Sequence, residues 1–267
     1  TKFMSEHKAR KRFGQNFLHD QGVISRIVRH IGLQASQQVI EIGPGQGALT
    51  EHLLASGVKL LAVELDRDLV PLLQQKFQQQ TDFALLQGDA LALNLSDHVQ
   101  SPCRVVGNLP YNISTPLIFH LLQQVDLIQD MHFMLQKEVV ERMAAGPGSK
   151  TFGRLSIMTQ YQCQVMPVME IGPEAFQPPP KVDSAIVRLI PHKEIKNPAD
   201  DIEVLNQVCV AAFNQRRKTI RNTFKKLITA QNIESLGIDP SLRPENLSLD
   251  DYIALANFVK RNPMKED

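Results

Sequence analysis

A strand that runs directly into a glycine-rich turn constrains the fold of this chain more than any other feature. The mostly apolar residues 39–42 (VIEI) lead into Gly43, Gly45 and Gly47, and an amphipathic stretch begins at Ala48. Glycine allows a tight turn and lets the backbone approach a ligand that a Cβ atom would block. A strand, a glycine turn and a helix in this order predict the first unit of a ligand-binding α/β domain.

Short apolar runs alternate with amphipathic stretches through most of the chain, a pattern that predicts a doubly wound α/β domain. We predict strands at residues 39–42, 60–65, 83–86, 104–107, 131–135, 164–170 and 184–189. Helical patterns lie between them, at residues 23–31, 48–55, 69–77, 116–123, 137–144 and 154–161. The last two strands suit an antiparallel hairpin at one sheet edge. The expected fold class is therefore α/β, with a Rossmann-like, seven-stranded, mostly parallel sheet.

The chain changes character after the last predicted strand. Residues 191–198 (PHKEIKNP) are polar and bounded by proline, which suits a linker, and the sequence beyond them is helical and turn-rich in pattern. We therefore predict two domains. The first spans residues 1–193 and includes a basic N-terminal arm, and the second is a smaller all-α domain over residues 198–267.

Positive charge is concentrated in two places, although the net charge of the chain is only +1. Residues 1–18 carry five basic residues against one acid, and residues 214–226 carry six basic residues and no acid. Dense basic segments on a nearly neutral chain indicate a local polyanion-binding surface. The alternative for the second segment is a solvated helix face, which is what most charge runs form.

The cysteines and the hydropathy of the chain exclude several classes of protein. Three widely spaced cysteines form no C-x-x-C pair and no cluster with histidine, so neither a zinc site nor a disulfide framework is expected. Free thiols suit a reducing cytoplasm. The chain shows no apolar run of about 18 residues that could span a bilayer, and no apolar signal-peptide core. We expect a cytoplasmic protein that binds neither a membrane nor a metal.

The glycine turn fits two classes of cofactor. Gly43, Gly45 and Ala48 satisfy the G-x-G-x-x-G/A pattern of dinucleotide enzymes. Glu41 and the three glycines equally satisfy the E-x-G-x-G-x-G pattern of S-adenosylmethionine enzymes. In both classes a carboxylate at the end of the next strand binds ribose hydroxyls, and Glu64 stands there.

Two further signals favour S-adenosylmethionine. Asp89 follows the third predicted strand, where a carboxylate can accept a hydrogen bond from the adenine amine of the cofactor, although an ordinary helix cap is the alternative. The turn Asn108-Leu109-Pro110-Tyr111 follows the fourth strand. Ligands of open α/β sheets lie beyond the carboxyl ends of the strands, where all these signals fall. The sheet is therefore expected to be of the S-adenosylmethionine methyltransferase type.

The Asn108-Leu109-Pro110-Tyr111 turn suits methylation of an exocyclic amine. The amino nitrogen of adenine is a poor nucleophile because its lone pair is delocalised into the ring. The side-chain oxygen of Asn108 and the carbonyl of Leu109 can each accept one N–H hydrogen bond and so localise that lone pair. Pro110 has a fixed φ that helps to direct the Leu109 carbonyl, and Tyr111 offers a face on which an extruded base can stack. The alternative is a simple turn with a buried tyrosine.

Residues 13–18, ahead of the first helix, also belong to the predicted site. They are expected to form either an arm that packs two phenylalanines on the domain or a flap over the cofactor. In the flap, Asn16 and Leu18 contact the cofactor, while Lys11 and Arg12 face phosphate.

Further motifs appear in order along nearly the whole chain. They are GQNFL (14–18), EIGPGQG (41–47), ELD (64–66), GDA (88–90), NLPYNISTP (108–116), FQPPPKVDS (176–184) and FNQRRKTIRN (213–222). Together they resemble the bacterial 16S ribosomal RNA adenine N6,N6-dimethyltransferases, the kasugamycin-sensitivity family. The resemblance implies S-adenosylmethionine as methyl donor and dimethylation of two adjacent adenosines near the 3′ end of 16S rRNA. It also implies a pre-30S or 30S particle as partner and a link to its assembly. We expect a monomer.

The resemblance also implies roles for single residues. The cofactor contacts are Asn16, Leu18, Gly43, Gly45, Glu64, Asp89 and Asn108. The target adenine is held by Asn108, Leu109, Pro110 and Tyr111, with Phe176 stacked on its other side. The RNA contacts are Lys11, Arg12, Arg216, Arg217, Lys218 and Arg221, the last four on a basic helix over residues 216–226.

Three alternatives stay open. An enzyme class that dimethylates 23S rRNA shares the catalytic turn, although the Gln-Arg-Arg-Lys segment argues against it. The protein could instead act chiefly as an assembly checkpoint that binds pre-30S particles, with methylation secondary. A nicotinamide oxidoreductase is the most distant alternative.

Overall fold

The structure is a computed structural model that describes residues 15–265. The chain packs as two compact units. Of the described residues, the first unit contains 15–140 together with Val165–Pro191, and the second contains Glu141–Gln164 and 192–265. The predicted boundary at residues 193–198 stays a prediction. The second unit also contains the segment Glu141–Gln164, which precedes that boundary in the sequence.

A seven-stranded sheet forms the centre of the first unit, as predicted. Its strands are β2 (Gln38–Ile42), β3 (Lys59–Glu64), β4 (Phe83–Gln87), β5 (Cys103–Asn108), β6 (Ile128–Gln136), β7 (Cys163–Ile171) and β9 (Ser184–Pro191), in the order β4-β3-β2-β5-β6-β9-β7. The pairs from β4 to β6 are parallel, and β9 is antiparallel to β6. The predicted neighbours β7 and β9 lie side by side, but β9 is the inner strand of the two. The Rossmann-like, mostly parallel fold class is confirmed.

Two short strands form a separate antiparallel sheet. They are β1 (Phe17–Leu18) and β8 (Phe176–Gln177), with Phe17 opposite Gln177 and Leu18 opposite Phe176. This pairing ties the chain ahead of the first helix to the segment between β7 and β9.

Helices connect the strands of the first unit, and their bounds agree closely with the periodicity of the sequence. They are α1 (Gln21–Ile31), α2 (Ala48–Ala55), α3 (Leu69–Lys76), α4 (Ser114–Leu122) and α5 (Lys137–Ala144), which crosses into the second unit. In α1 the apolar residues Ile24, Ile27 and Ile31 recur at helical spacing and are buried. The Asp20 carboxylate accepts from the Val23 N–H at the start, and Gly32 ends the helix with φ +65°.

The parallel register brings the carboxyl ends of neighbouring strands to one edge of the sheet. Ile42 at the end of β2 lies opposite Val63 of β3 and Gly107 of β5. The next residues along the chain, Gly43 and Asn108 among them, therefore meet at this edge.

A buried ion pair lies near the opposite edge of the same sheet. Arg104 on β5 donates from Nε and Nη2 to the two carboxylate oxygens of Asp130 on β6, both at 2.9 Å. Its Nη2 also reaches the carbonyl of Ile31 at 2.6 Å, and its Nη1 reaches that of Gly32 at 3.0 Å. Arg104 and Asp130 are only 6% and 9% exposed. The guanidinium therefore holds the end of α1 against the sheet.

The second unit is helical. It contains α6 (Arg154–Gln162), α7 (Ile202–Phe213), α8 (Ile220–Thr223), α9 (Ala230–Ser235) and α10 (Leu249–Arg261). Residues 192–265 hold helices and turns but no strand, as the sequence pattern predicts. The Tyr161 hydroxyl accepts from the Ala199 N–H at 2.9 Å, and this hydrogen bond links α6 to the chain that follows residue 192. Within residues 15–265, no helix combines the length and apolar character needed to cross a bilayer.

Candidate active site

A cavity of about 280 Å³ opens at the carboxyl ends of the strands in the first unit. All eleven residues predicted to bind the cofactor or the target base line it: Asn16, Leu18, Gly43, Gly45, Glu64, Asp89, Asn108, Leu109, Pro110, Tyr111 and Phe176. The structure thus brings together side chains that are spread over about 160 positions of the sequence. Their individual roles stay predictions.

The glycine turn after β2 forms one wall of the cavity. Gly43 and Gly45 have φ of +67° and +60°, a conformation that residues with a Cβ rarely adopt. A Cβ on Gly43 would lie 3.2 Å from the main-chain oxygen of Asn108, and one on Gly45 would lie 3.0 Å from the ring of Phe17. The absence of side chains here keeps the turn close to both neighbouring segments and leaves room for a ligand.

We expect Gly43→Ala to weaken binding of S-adenosylmethionine by about tenfold, because an L-residue in this conformation costs about 1–2 kcal/mol and its Cβ would push the Asn108 carbonyl. Gly88→Ala is the matched control. Gly88 also lines the cavity, but its φ is ordinary and its Cβ would meet no atom within 4 Å. Equilibrium binding of the two variants tests this, and equal affinities would contradict it.

Two carboxylates stand behind the glycine turn. Glu64 at the end of β3 accepts from the Gly45 N–H at 3.1 Å and from the Asp66 N–H at 2.9 Å, and its burial raises its pKa. Glu41 on β2 is 1% exposed and accepts from the Thr50 hydroxyl; burial raises the pKa of Glu41 to about 8. Glu64 therefore holds the turn itself, in addition to facing the cavity where ribose hydroxyls are predicted.

Asp89 forms the helix cap that was one of the two roles considered for it, and its role towards the cofactor stays a prediction. Its Oδ1 accepts from the Leu91 N–H at 2.9 Å, so it caps the short helical turn at Ala90–Ala92. The residue is exposed and also lines the cavity. The cap fixes the carboxylate at the end of β4, where the cofactor adenine is predicted to lie.

The Asn108-Leu109-Pro110-Tyr111 turn forms another part of the cavity wall. Asn108 is half-buried, and its Nδ2 donates to the main-chain oxygen of Asn16 at 3.0 Å. Leu109 is buried, and its N–H donates to the Met134 carbonyl at 3.2 Å. Tyr111 is 62% exposed, so the alternative of a buried tyrosine is wrong. An exposed aromatic side chain beside a cavity is available for stacking.

Phe176 occupies an unexpected environment for a base-stacking residue. It lines the cavity, yet it is only 3% exposed and packs in the main hydrophobic core with Leu18 and Ala175. Phe176 lies opposite Leu18 in the β1–β8 pair, and both side chains are part of this core. Stacking of Phe176 on a target base stays a prediction.

The predicted basic helix over residues 216–226 is wrong. The chain leaves α7 after Phe213, forms a turn, and contains only the four-residue helix α8. Phe213 packs at 5.8 Å from Tyr252, while Ile220 and Phe224 are buried. The N–H groups of Ile220 and Arg221 donate to the carbonyls of Leu242 and Pro240 and not to residues four positions earlier, so no continuous helix runs through this segment.

The predicted RNA contacts within this segment are not equivalent. Arg216 donates to the carbonyls of Lys150 at 2.9 Å and Phe152 at 2.7 Å, and its guanidinium stacks 4.9 Å from the Phe213 ring. Its guanidinium is therefore occupied by contacts within its own unit. The other three members, Arg217, Lys218 and Arg221, are exposed. Lys11 and Arg12 lie outside the described residues.

Two further residues of the cavity region escaped the sequence-based predictions. Leu65, directly after Glu64, is 43% exposed and lines the cavity, so it offers an apolar surface beside the predicted ribose site. Asp66 is 1% exposed, accepts from Gln15 Nε2 at 2.9 Å and caps the Asp68 N–H at 3.0 Å. The Glu-Leu-Asp motif could have predicted the exposure of Leu65, because an apolar residue between two acids at a strand end has no obvious place in a core.

The residues fit S-adenosylmethionine. The glycine turn leaves a cradle that Cβ atoms would fill, and Glu64 and Asp89 supply acceptors at the ends of consecutive strands. Leu65, which follows Glu64, supplies an apolar surface at the cavity. Among residues 15–265, no group of three or more His, Cys, Asp or Glu side chains is placed to hold a metal ion.

The sheet order, the strand β9 antiparallel to β6 and the cavity at the carboxyl ends define a Rossmann-like methyltransferase. Residues 6–261 match the family described as ribosomal RNA adenine dimethylase. The chain belongs to this family, and the resemblance seen in the motifs is confirmed.

Curated relatives and solved structures agree with this assignment. A protein of Colwellia psychrerythraea named "Ribosomal RNA small subunit methyltransferase A" is 63% identical, over 96% of this chain and 86% of its own length. The protein of the same name from Pseudomonas putida is 61% identical, over 94% and 95%. A crystal structure of a dimethyladenosine transferase from Plasmodium falciparum is similar with a TM-score of 0.76 and 26% identity, over 92% of this chain and 98% of that one.

Proposed function

We propose that this protein transfers methyl groups from S-adenosylmethionine to N6 of two adjacent adenosines near the 3′ end of 16S rRNA. The substrate is a pre-30S or 30S particle in the cytoplasm, and the enzyme acts as a monomer without a metal. One observation carries the proposal: Asn108 lies beside the glycine turn, with its main-chain oxygen 3.2 Å from the position of a Cβ on Gly43. Asn108, which is proposed to make the target amine more nucleophilic, therefore lies next to the predicted cofactor pocket.

Asn108 and Leu109 act on the target amine. The Asn108 side-chain oxygen and the Leu109 carbonyl each accept one N–H from the adenine amino group. These hydrogen bonds pull the nitrogen towards tetrahedral geometry and localise its lone pair. The fixed φ of Pro110 directs the Leu109 carbonyl, and the hydrogen bond from Leu109 N–H to Met134 holds the turn on β6. The contribution of the protein is mainly positioning and electrostatic.

The cofactor supplies, when bound, an electrophilic methyl group on a positively charged sulfur. Asn16, Leu18, Gly43, Gly45, Glu64 and Asp89 would hold it. Transfer is direct and in line, without a covalent enzyme intermediate. No strong general base is needed, because the ammonium formed on the adenine is acidic enough to lose its proton to water.

Tyr111 receives the target base outside the RNA stack. Extruding a base costs a few kcal/mol, and stacking on an aromatic side chain returns about 1–3 kcal/mol. The two are comparable, so a ring that is 62% exposed beside the cavity is well placed to offset the cost. Phe176, though buried, is proposed to contact the other face of the base.

The small subunit is preferred over the large one as the substrate. The relatives named small subunit methyltransferase are 57–63% identical to this chain. A solved 23S rRNA methyltransferase, ErmE, has 24% identity with a TM-score of 0.71 and shares the fold. The difference in identity supports 16S rRNA.

Labelled-methyl transfer to under-methylated 30S particles tests the proposed function. We expect two adjacent adenosines near the 3′ end of 16S rRNA to become dimethylated, with four methyl groups per particle. Modified bases should be mapped by primer extension, with 50S particles as the control. Methylation of 50S particles alone, or of neither particle, would rule the proposal out.

We further propose that the exposed basic residues of the second unit, Arg217, Lys218 and Arg221, contact RNA phosphates. Neutralising all three to alanine should lower the slope of log affinity against log salt by about two, since each phosphate contact contributes about 0.7–0.9. Arg216→Met is the matched control. It should leave the slope near that of the wild type but lower the melting temperature, because the Lys150 and Phe152 carbonyls lose their donor. An unchanged slope in the triple variant would show that these three residues are solvated and do not contact RNA phosphates.

The alternative of an assembly checkpoint is tested in cells. A variant that binds particles but cannot methylate them should reproduce the growth defect of a deletion if the enzyme activity is what matters. A milder or a more severe defect than the deletion would show a separate binding function.

A further inference from the structure

The side-chain amide of Asn108 is held by the main chain of the segment that precedes β1. Its Nδ2 donates to the Asn16 carbonyl oxygen at 3.0 Å. A carbonyl oxygen can only accept, so the atom of Asn108 that faces it must be the nitrogen. Because the amide is planar, this contact also determines that Oδ1 points away from Asn16.

This orientation matters for the chemistry of the site. Only Oδ1 can accept a hydrogen bond from a target amine, and a flipped amide would present its own N–H groups to that amine. The terminal torsion of asparagine is broad and roughly two-fold, so an unrestrained amide samples both orientations. One hydrogen bond to Nδ2 is enough to favour the productive orientation.

The Asn16 carbonyl is itself held in place from two sides. β1 pairs with β8, and just beyond it the His19 N–H donates to the Ala175 carbonyl at 2.9 Å. On the other side, the Phe17 ring packs against Gly45, where an added Cβ would lie 3.0 Å from it. The carbonyl therefore has a defined position relative to the glycine turn.

We propose that the backbone carbonyl of Asn16 is a positioning group for methyl transfer, because it sets the amide of Asn108 with Oδ1 towards the target amine. The inference rests on the proposed function and deepens it. It gives the segment ahead of α1 a role in turnover that is separate from covering the cofactor. Side-chain identity at position 16 is not what this role requires.

An amide-to-ester exchange tests the carbonyl without changing any side chain. Phe17 is replaced by phenyllactic acid through nonsense suppression, so that the Asn16 carbonyl becomes an ester carbonyl, a weaker acceptor. We expect kcat for transfer to under-methylated 30S particles to fall by roughly three- to tenfold, the value of one neutral hydrogen bond. The KM for particles and the affinity for S-adenosylmethionine should change by less than about twofold, because the weakened hydrogen bond orients Asn108 for transfer and binds neither substrate.

Replacing His19 by its α-hydroxy analogue is the matched control. It removes one N–H from the same segment, the donor to Ala175. If this ester lowers kcat as much as the one at position 17, general loosening of the segment explains the effect and the proposal is wrong.

A double-mutant cycle separates positioning from a structural role. Asn108→Asp keeps acceptor oxygens at this position but leaves no side-chain N–H to donate. In the Asn108→Asp background, the ester at position 17 should therefore have little further effect on the single-turnover rate. An ester effect of the same size in both backgrounds would overturn the inference.

A readout on the protein alone distinguishes this inference from the proposed function. In the ¹⁵N-asparagine spectrum, the Asn108 side-chain signals are assigned by their loss in Asn108→Asp. One Nδ2 proton should be protected from exchange in the wild type and lose about three- to tenfold of that protection in the ester at position 17. If the wild type methylates no particle, the proposed function fails and this measurement still decides the inference. Unchanged protection of this proton would contradict the inference about the Asn16 carbonyl.

Discussion

Asn108→Ala should lower the rate of methyl transfer by about 100-fold or more, the usual effect of removing one preorganised hydrogen-bonding group from an active site. The substitution removes the side-chain oxygen that is proposed to localise the lone pair of the target amine. The Leu109 carbonyl remains, so some activity should persist. Single-turnover transfer of labelled methyl groups to under-methylated 30S particles measures the effect.

The affinity for S-adenosylmethionine should respond differently to Asn108→Ala than to a change in the glycine turn. Gly43→Asp places a carboxylate in the cavity at a residue with φ +67° and should abolish cofactor binding. Asn108→Ala should retain most of that binding. Wild-type turnover in Asn108→Ala would disprove the proposed mechanism, whatever the affinity.

Arg104→Ala should lower the free energy of unfolding by about 3–5 kcal/mol, the cost of leaving a buried charge without its partner. Asp130 is 9% exposed and accepts two hydrogen bonds from the guanidinium, while the carbonyls of Ile31 and Gly32 lose their donor as well. Denaturation by urea, followed by circular dichroism, measures the change.

Two variants make the Arg104 prediction specific. Arg26→Ala removes an exposed arginine from α1 and should change stability by no more than about 0.5 kcal/mol. The pair Arg104→Met with Asp130→Leu removes both charges and should be less destabilised than Arg104→Ala alone. If Arg104→Ala unfolds like Arg26→Ala, the buried network does not stabilise the fold.

A second arginine, Arg188, extends the network around Arg104 to His132 and to the end of α1. Arg188 Nε donates to His132 Nε2 at 2.8 Å, and Arg188 Nη2 reaches the His30 carbonyl at 2.6 Å. Burial lowers the pKa of His132 to about 4, so the imidazole is neutral at pH 7 and can accept this bond. Carbonyls of three consecutive residues at the end of α1, His30–Gly32, thus receive hydrogen bonds from two arginines on the sheet.

The wall of the cavity that is formed by strand ends could be predicted from the sequence. Gly43, Glu64, Asp89 and Asn108 each follow or end a strand with a clear apolar pattern, and parallel strands present their carboxyl ends at one edge. Local information was therefore sufficient, because period, turn residues and strand direction together place these side chains without knowledge of their contacts.

The basic segment near residue 216 shows the limit of such reasoning. In the sequence its six basic residues look alike, and a continuous helix is a reasonable expectation. In the structure, Arg216 is committed to the Lys150 and Phe152 carbonyls, more than 60 positions away, while Arg217 and Lys218 are exposed. Only long-range packing separates an arginine that holds its own fold from those that are available to a partner.

By itself, the amino-acid sequence determined the seven strands of the main sheet, the helices between them, the order of the motifs and most residues of the predicted site, since each depends on periodicity or on a short motif. Only the tertiary structure decided that Phe176 is buried next to Leu18 of β1, that Leu65 is exposed at the cavity, and that the Asn16 carbonyl orients Asn108. These features depend on contacts between residues up to about 160 positions apart. Hydrogen bonds and burial at that separation are settled when the whole chain packs, and no local pattern encodes them.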